Sequence, residues 1–198
     1  MSFWSNASVS PKRKYNWLCE ISQGKGGKLE SWVIKKVTKP GWTSTEAVHR
    51  FLNYTFYYPG KVQWDEIQMT LVDPGGQKDT SEILYKTLLN SGWNMPRNLK
   101  KVTTVSKAAA KRAIGDIKIR QIDHAGTPVE EWTLKNAWIK SMKFGELNYE
   151  GDELMEIILA LRYDWAELKI PKGASRVGVG TTSGQSIGAG AGESRIEL

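Results

Sequence analysis

The sequence has few of the residues from which catalytic and metal sites are built. Cys19 is the one cysteine among 198 residues, which excludes an intrachain disulfide and a cysteine metal cluster. A lone thiol fits a reducing cytoplasm, in which we expect the chain to be made and assembled. Histidine, the commonest base and metal ligand, occurs only at His49 and His124. We therefore expect no zinc site, no cofactor and no enzymatic activity.

Long apolar runs are also absent. No stretch is long enough to span a membrane, and the N-terminus MSFWSNASVSPKRKYNW lacks the apolar core of a signal peptide. The glycines at 24–27 do not have the spacing of a phosphate-binding loop. Glu130 and Glu131 are adjacent in a predicted strand, so their carboxylates point to opposite faces and form no acid–base pair.

Acidic residues are outnumbered by basic ones, 21 to 28, and the excess is concentrated. The segment 97–120 contains one acidic residue, Asp116, and eight basic residues: Arg97, Lys100, Lys101, Lys107, Lys111, Arg112, Lys118 and Arg120. Such a stretch indicates an acidic or polyanionic partner, or else a solvated helix face beside an acidic neighbouring subunit. The segment has no aromatic residue to stack on bases, which weakens the interpretation as a single-strand nucleic-acid binder.

Composition divides the chain into three parts. Residues 1–14 read as a polar arm, residues 15–170 as one β domain, and residues 171–198 as a tail rich in glycine and serine. We expect such a tail to be ordered only when it packs against something, such as a neighbouring subunit.

Alternation of apolar and polar residues predicts that the domain is made mainly of strands. The clearest case is 154–165, where every second residue from Met155 to Trp165 is apolar. Further strands are predicted at 15–22, 31–38, 51–58, 61–72, 117–119 and 129–140. The first two are expected to form a hairpin about the glycines at 24–27. We also expect a loop at 41–50, a stop at Pro59-Gly60 and a bulge or bend near Asp65-Glu66.

One helix is predicted with a clear beginning and end. Asp79 can cap its N-terminus with Glu82 three residues on, and Gly92 closes it. A second, shorter helical stretch is predicted at 106–113, where Ser106 can cap a run rich in alanine and lysine. The expected fold class is therefore mainly β, with antiparallel strands and one flanking helix.

The C-terminal half resembles a known family. The segment from KRAIGDIKIRQ to LRYDWAEL looks like the closing hairpins of the tail tube proteins of contractile-tailed bacteriophages. Upstream, YYPGKVQWDEIQMTLVDP resembles the strand–turn–strand stretch of the same family. The matching residues are Trp64, Met69, Thr70, Asp73, Trp138, Gly145, Glu146, Leu147, Asp152, Leu159, Leu161, Tyr163 and Trp165. The likeness covers about 12–168, and type VI secretion inner tubes share this superfamily.

The resemblance implies a fold and a function. The family has a β-sandwich or split-barrel domain whose sheets join across six subunits into a ring, and the rings stack into a tube. The resemblance implies a structural virion protein of the tail that is assembled in the host cytoplasm. Double-stranded DNA is expected to pass through the tube without sequence specificity at genome ejection. Expected partners are further copies of the chain, the tail sheath protein, the tape measure protein and the baseplate tube-initiator. Two alternatives stay open: the baseplate tube-initiator itself, and a small basic nucleic-acid-binding β domain.

Several residues are candidates for assembly contacts. Exposed aromatic residues are over-represented at interfaces, so Trp42 and Phe51, in the expected loop 40–52, are candidates for contact between rings. Completing the core is the alternative for both. Trp138 and Arg162 are further candidates for a subunit or ring interface.

Two other surfaces are predicted from charge and periodicity. Lys107, Lys111 and Arg112 are expected on the outer wall or at a ring interface, facing acidic surfaces of the sheath or of a neighbouring subunit, because dense cations in a DNA channel would bind the DNA that passes through it. The polar positions of the strand 154–165 are instead expected to line the lumen or its rim. These are Glu156, Arg162 and Asp164, with Ile158 and Ala160 as apolar exceptions.

Overall fold

The computed structural model describes residues 11–22, 29–76, 79–96 and 103–171, which all belong to one compact unit, Pro11–Ala174. The predicted arm residues 1–10, the glycine turn at 24–27, the cations Arg97, Lys100 and Lys101, and the tail 172–198 lie outside the described residues. The strands are β1 (Trp17–Ile21), β2 (Ile34–Val37), β3 (Trp42–Phe51), β4 (Tyr54–Trp64), β5 (Ile67–Val72), β6 (Ile117–Ile122), β7 (Pro128–Lys135), β8 (Trp138–Lys143), β9 (Glu156–Arg162) and β10 (Trp165–Lys169).

The strands form two four-stranded antiparallel sheets and one separate hairpin. The first sheet has the order β1-β6-β7-β10, the second has the order β2-β5-β9-β8, and β3 pairs only with β4. The two four-stranded sheets bury their inner faces in one shared apolar core. The predicted class, a mainly β antiparallel domain, is confirmed.

Alternation in the second sheet explains why its inner face is buried. Ile67, Met69 and Leu71 of β5 lie opposite Leu161, Leu159 and Ile157 of β9, and all six are fully buried. Each such side chain stabilises the fold by about 1.5–3 kcal/mol relative to exposure. The prediction for 154–165 is confirmed in its centre. The strand ends at Arg162, however, and Trp165 begins β10 in the other sheet.

Two helices flank the sheets, at the positions of the predicted helix and of the predicted second, shorter helical stretch. The first, α1 (Thr80–Asn90), begins after Asp79, whose side chain accepts hydrogen bonds from the backbone amides of Ser81 and Glu82 as predicted. The second, α2 (Lys107–Ile114), is capped by Ser106, whose hydroxyl accepts from the amide of Ala109. The inner sides of the helices are buried, with Leu84 of α1 and Ala113 of α2 among the buried residues.

Two strand predictions were wrong about partners. The stretches β1 and β2 do not form a hairpin, because β1 pairs with β6 and β2 pairs with β5. The predicted strand 129–140 is two strands in different sheets. The chain changes sheet at Asn136, which has φ of 56°, a left-handed conformation that asparagine tolerates better than most residues.

The predicted loop at 41–50 was also wrong. It is β3, and together with β4 it forms a long hairpin that turns at Leu52-Asn53. Pro59-Gly60 does not stop β4, because the register shifts between Ser44 and Glu46 and the strand continues to Trp64. The expected bend at Asp65-Glu66 is confirmed, as a break between β4 and β5.

Candidate assembly surfaces

The hairpin of β3 and β4 is exposed along nearly its whole length. Every residue of β3 and every residue of β4 before Trp64 is exposed. Its exposed large apolar side chains are Trp42, Val48, Phe51, Tyr54, Phe56, Tyr57, Tyr58 and Val62, with Leu52 in the turn. An isolated two-stranded hairpin is marginally stable in water, and a contiguous apolar patch of this kind marks an interaction site.

The hairpin is closed by specific backbone contacts. Trp42 lies opposite Trp64 at its base, and Phe51 lies opposite Tyr54 at its turn. A Cβ atom at Gly60 would lie 2.3 Å from Oγ1 of Thr45 and 2.7 Å from its carbonyl oxygen. Glycine at this position therefore lets the two strands approach at the register shift, which is why Pro-Gly stands inside a strand here.

Trp42 and Phe51 do not complete the core. Their exposed fractions are 60% and 62%, whereas a core aromatic such as Tyr163 is exposed by 7%. Of the two alternatives for these residues, the structure of the single chain excludes burial in its own core. Their role in contact between rings stays a prediction.

Trp138 and Arg162 lie opposite each other at one end of the β8–β9 pair. Arg162 donates a hydrogen bond to the carbonyl of Trp64 at 3.0 Å, and its Nε lies 3.5 Å from Oε1 of Glu66. Glu66 is also paired with Lys140. Arg162 thus ties the base of the hairpin to β9, while its place in an interface between subunits stays a prediction.

The charges in the outward-facing row of β9 are engaged within the chain. Glu156 of β9 pairs with Lys35, and Arg162 at the other end of the strand is held as described above. Between them lie Ile158, which is exposed, and Ala160, which is half-buried. The outward row of β9 therefore has its charges engaged at both ends and small or apolar side chains between them, whereas Lys36 of β2 and Lys143 of β8, opposite Thr70 and Ile158, add two exposed cations to the same face.

Asp164 lies outside that row. It follows β9, and its carboxylate accepts hydrogen bonds at 2.7 Å from Lys107 of α2 and from Asn136. Hydrogen bonds from Lys107 and then Asn136 lower the pKa of Asp164. Asp164 is therefore engaged with α2 in this chain, which does not fit the expectation that it extends the lumen-facing row of β9.

The predicted basic segment is divided between two elements. Lys107 is paired with Asp164, Lys111 is half-buried and Arg112 is exposed on α2. Arg120 lies on β6, where it forms ion pairs of 2.6 Å with both Glu20 and Glu131. The described cations of the segment are thus divided between a helix and a strand, and some are neutralised within the chain; the sheath-facing role of α2 stays a prediction.

A second basic surface was missed from the sequence. A cleft of about 470 Å³ lies beside β2, between the two sheets. Its rim carries seven cations: Lys12, Arg13, Lys14, Lys35, Lys36, Lys39 and Arg120. Trp17, Val37 and Ile119 line its apolar part. The run at 12–14 was visible in the sequence, but its proximity to 35–39 depends on the sandwich.

The cysteine, the two histidines and the adjacent glutamates of the described structure lie in separate environments. Burial and then the neighbouring Glu20 raise the pKa of the Cys19 thiol to about 12, so it stays protonated. His49 and His124 are both exposed, in β3 and in the turn after β6. Glu130 is buried, whereas Glu131 pairs with Arg120 on the other side of β7. Among the described residues, no three His, Cys, Asp or Glu side chains are placed to hold a metal ion.

Within the described ranges, neither helix has the length and apolar character needed to cross a membrane.

Comparisons with known proteins identify the fold. No protein-family model matches the sequence, and no curated protein sequence matches it. Among solved structures, a chain of the anti-feeding prophage tube-terminating cap aligns with 17% identity and a TM-score of 0.60, over 86% of this chain and 100% of that one. A chain of the anti-feeding prophage baseplate aligns with 12% identity and a TM-score of 0.59, over 81% and 97%.

A third similar chain comes from a sheath–tube complex. It belongs to the extracellular contractile injection system PVC in its extended state and aligns with 17% identity and a TM-score of 0.57, over 86% of this chain and 99% of that one. The alignments cover nearly the full length of all three known chains. This protein therefore has the fold found in tube, cap and baseplate assemblies of contractile injection systems, and the fold implied by the resemblance of its sequence is confirmed.

Proposed function

We propose that this protein is a structural, non-enzymatic subunit of a contractile tail tube, in which six copies form a ring and rings stack into a channel. The observation that carries the proposal is the fold, which matches whole chains of contractile assemblies. Further copies of the chain would be the first partners, with a tail sheath outside the tube and a tape measure protein inside it before ejection.

Sheet edges support ring formation. The second sheet ends in β2 on one side and β8 on the other. Unpaired strand edges invite aggregation unless another strand pairs with them, and closing the sheet across subunits removes both edges at once. The two edges are different surfaces, so their contact is head-to-tail and repeats until a ring closes.

The outer face of the second sheet fits a channel for genome ejection. Its charges at Glu156 and Arg162 are engaged in the chain itself, and the side chains between them are small or apolar. DNA would release few counterions along this row and would meet the two exposed cations Lys36 and Lys143 beside it, so we expect weak binding. We place this face toward the lumen and propose location in the virion tail.

The exposed hairpin fits stacking. Ring closure through β2 and β8 leaves the aromatic side chains of β3 and β4 still exposed, so a second partner surface is required. We propose that the hairpin contacts the adjacent ring, with Trp42 at its base and Phe51 at its turn in the contact.

Electron microscopy of the purified protein across a concentration series tests the proposal. Uniform hollow tubes built of stacked six-fold rings are the expected result. Single rings that never stack would favour the baseplate tube-initiator, a role that the similarity to a baseplate chain also fits. Particles that form only with DNA would favour the basic nucleic-acid-binding domain, and monomers at every concentration would contradict a tube subunit.

A further inference from the structure

The basic cleft beside β2 holds more positive charge than its own chain neutralises. Four of its seven cations have acidic partners: Lys12 and Lys39 pair with Glu130, Lys35 pairs with Glu156, and Arg120 pairs with Glu20 and Glu131. The other three are Arg13, Lys14 and Lys36, which have no acidic partner among the residues that the structure describes. All three are exposed at the rim.

An acidic loop lies at the other edge of the same sheet. Residues 144–155 join β8 to β9 and contain four acids and no basic residue: Glu146, Glu150, Asp152 and Glu153. All four are exposed, and none of them forms an ion pair within the described part of the chain. The loop also presents apolar side chains to solvent, with Leu147 86% and Leu154 69% exposed and Tyr149 fully exposed.

The base of this loop is fixed although its tip projects. Gly145 has φ of 85°, and a Cβ atom there would lie 2.5 Å from the carbonyl oxygen of Glu156, so only glycine fits the closing contact. The amide of Asp73 bonds the carbonyl of Met155 at 3.0 Å, which fixes the other end. The hydrogen bond and charge of Glu156 raise the pKa of Lys35, and the charge of Glu153 adds to this, while Tyr149 is fully exposed.

Strand directions bring the loop and the cleft together in a ring. Both β2 and β9 are antiparallel to β5, and β8 is antiparallel to β9, so β2 and β8 run in opposite directions. In a sheet continued from one copy to the next, the end of β8 lies beside the beginning of the neighbour's β2. Adjacent strands are about 4.8 Å apart, so the loop that leaves β8 emerges next to the cleft of that neighbour.

We propose that the acidic loop 144–155 of each copy docks into the basic cleft of the next copy around the ring. Its carboxylates neutralise Arg13, Lys14 and Lys36, and its exposed apolar side chains cover Trp17 and Val37. The inference rests on the proposed ring and adds a contact that orients it. A basic cleft at one edge of the sheet and an acidic loop at the other favour head-to-tail association of neighbouring copies.

Matched charge reversals test this contact. The loop variant is Glu150→Lys/Asp152→Lys/Glu153→Lys, and the cleft variant is Arg13→Glu/Lys14→Glu/Lys36→Glu. Each changes three exposed side chains outside the core, and thermal unfolding of the monomers shows whether each variant is folded. Like charges placed across each interface should raise the protein concentration needed for rings by about a hundredfold or more in either variant alone.

Mixing the two variants is the decisive measurement. A basic loop then meets an acidic cleft, and an acidic loop meets a basic one, so alternating rings with an even number of subunits should form at concentrations near those of the wild type. A chain carrying all six changes should also form rings. If the chain with all six substitutions forms rings but the mixture of the two variants does not, the loop docks within its own chain, and the proposal is overturned.

Other outcomes are equally informative. If the loop variant and the cleft variant each assemble as the wild type does, the proposed contact is contradicted, while the proposed tube function is unaffected. If neither mixing nor the combined chain restores rings, the proposal also fails. Salt-sensitive binding of duplex DNA that the cleft variant loses, with ring formation unchanged, would assign the cleft to nucleic acid instead. If the wild type forms no rings, the proposed function is contradicted, and so is this contact between neighbouring copies.

Discussion

Lys39 and Glu130 form an ion pair of 2.9 Å that joins the connection before the hairpin to the third residue of β7. Glu130 also accepts from Lys12, which precedes β1, and from the indole of Trp132. Its side chain is only 10% exposed. One carboxylate thus holds three segments that are far apart in the sequence, at the margin of the basic cleft.

This arrangement predicts a specific loss of stability in acid. Burial alone would raise the pKa of Glu130, but hydrogen bonds from Lys12, Lys39 and Trp132 together lower it from 4.5 to about 2. A lowered pKa stabilises the fold above about pH 4.5, and this contribution is lost as the pH falls toward 2. Glu130→Gln should lower the free energy of unfolding at pH 7 by up to about 3 kcal/mol.

Urea unfolding of wild type and Glu130→Gln between pH 2 and 7 measures the effect. The difference between them should shrink as the pH falls through this window, because the wild type loses its advantage there. Glu131→Gln, on the other face of β7, is the comparison. The hydrogen bond from Arg120 also lowers the pKa of Glu131, so this variant should show a pH dependence of the same sign but a smaller loss, because one hydrogen-bonded cation is lost instead of two. A constant difference at every pH would contradict the role given to the Glu130 carboxylate.

Local patterns were sufficient for the elements whose cause is local. The caps at Asp79 and Ser106 fixed the beginnings of α1 and α2, and the alternation in 154–165 identified the buried row of β9. Partners could not be predicted in the same way. The pairing of β1 with β6 joins residues about a hundred positions apart, and periodicity does not determine which strand lies beside another.

The hairpin and the basic cleft were missed for different physical reasons. In β3 and β4 both faces are exposed, so the apolar residues follow no burial pattern, and Pro59-Gly60 looks like a stop. The cleft is formed by segments from β2, from the stretch before β1 and from the end of β6, which only the packing of two sheets brings together. Charge counted along the sequence instead singled out 97–120, whose described cations are divided between α2 and β6.

Removal of a buried hydroxyl should stabilise the protein. The hydroxyl of Tyr163 is buried and has no hydrogen-bond partner in the described structure, while its ring contacts Trp64 with centroids 5.9 Å apart. Tyr163→Phe keeps the ring contact and removes the unsatisfied group, so the free energy of unfolding should rise by about 1 kcal/mol. Tyr163→Leu is the control, which should destabilise because it loses the ring contact. If urea unfolding shows a lower stability for Tyr163→Phe, the hydroxyl of Tyr163 has a hydrogen-bond partner in the folded protein.

Charge reversal on α2 should weaken binding of the sheath protein without preventing tube formation. In the variant Lys107→Glu/Lys111→Glu/Arg112→Glu, we expect tubes to form normally but co-assembly with the sheath protein to fall, because an acidic sheath surface would meet acidic side chains. Since Lys107 also pairs with Asp164, the variant Lys111→Glu/Arg112→Glu tests the helix face alone. Lys107→Arg/Lys111→Arg/Arg112→Lys keeps the charge and should co-assemble. Normal sheath assembly on the reversed tubes, counted by electron microscopy, would refute this orientation.

The hairpin offers the sharpest comparison between folding and stacking. Trp42 is 60% exposed in the hairpin, and Trp32 is 65% exposed outside it, so truncation of either removes a similar exposed aromatic surface. Trp42→Ala should leave thermal unfolding of the monomer nearly unchanged, because surface substitutions usually alter stability by no more than about 0.5 kcal/mol. Buried aromatic residues often dominate an interface, where truncation costs about 2 kcal/mol or more, so we expect short tubes or single rings.

Tube length in electron micrographs, measured beside the unfolding temperature, distinguishes the possible causes. Short tubes from Trp42→Ala with full-length tubes from Trp32→Ala would assign stacking to the hairpin rather than to exposed aromatics in general. Phe51→Ala, at the turn of the same hairpin, should have the same effect, because its side chain is 62% exposed in the monomer. Long tubes from both Trp42→Ala and Phe51→Ala would mean that the hairpin covers another surface, and the contact between rings would then have to involve different residues.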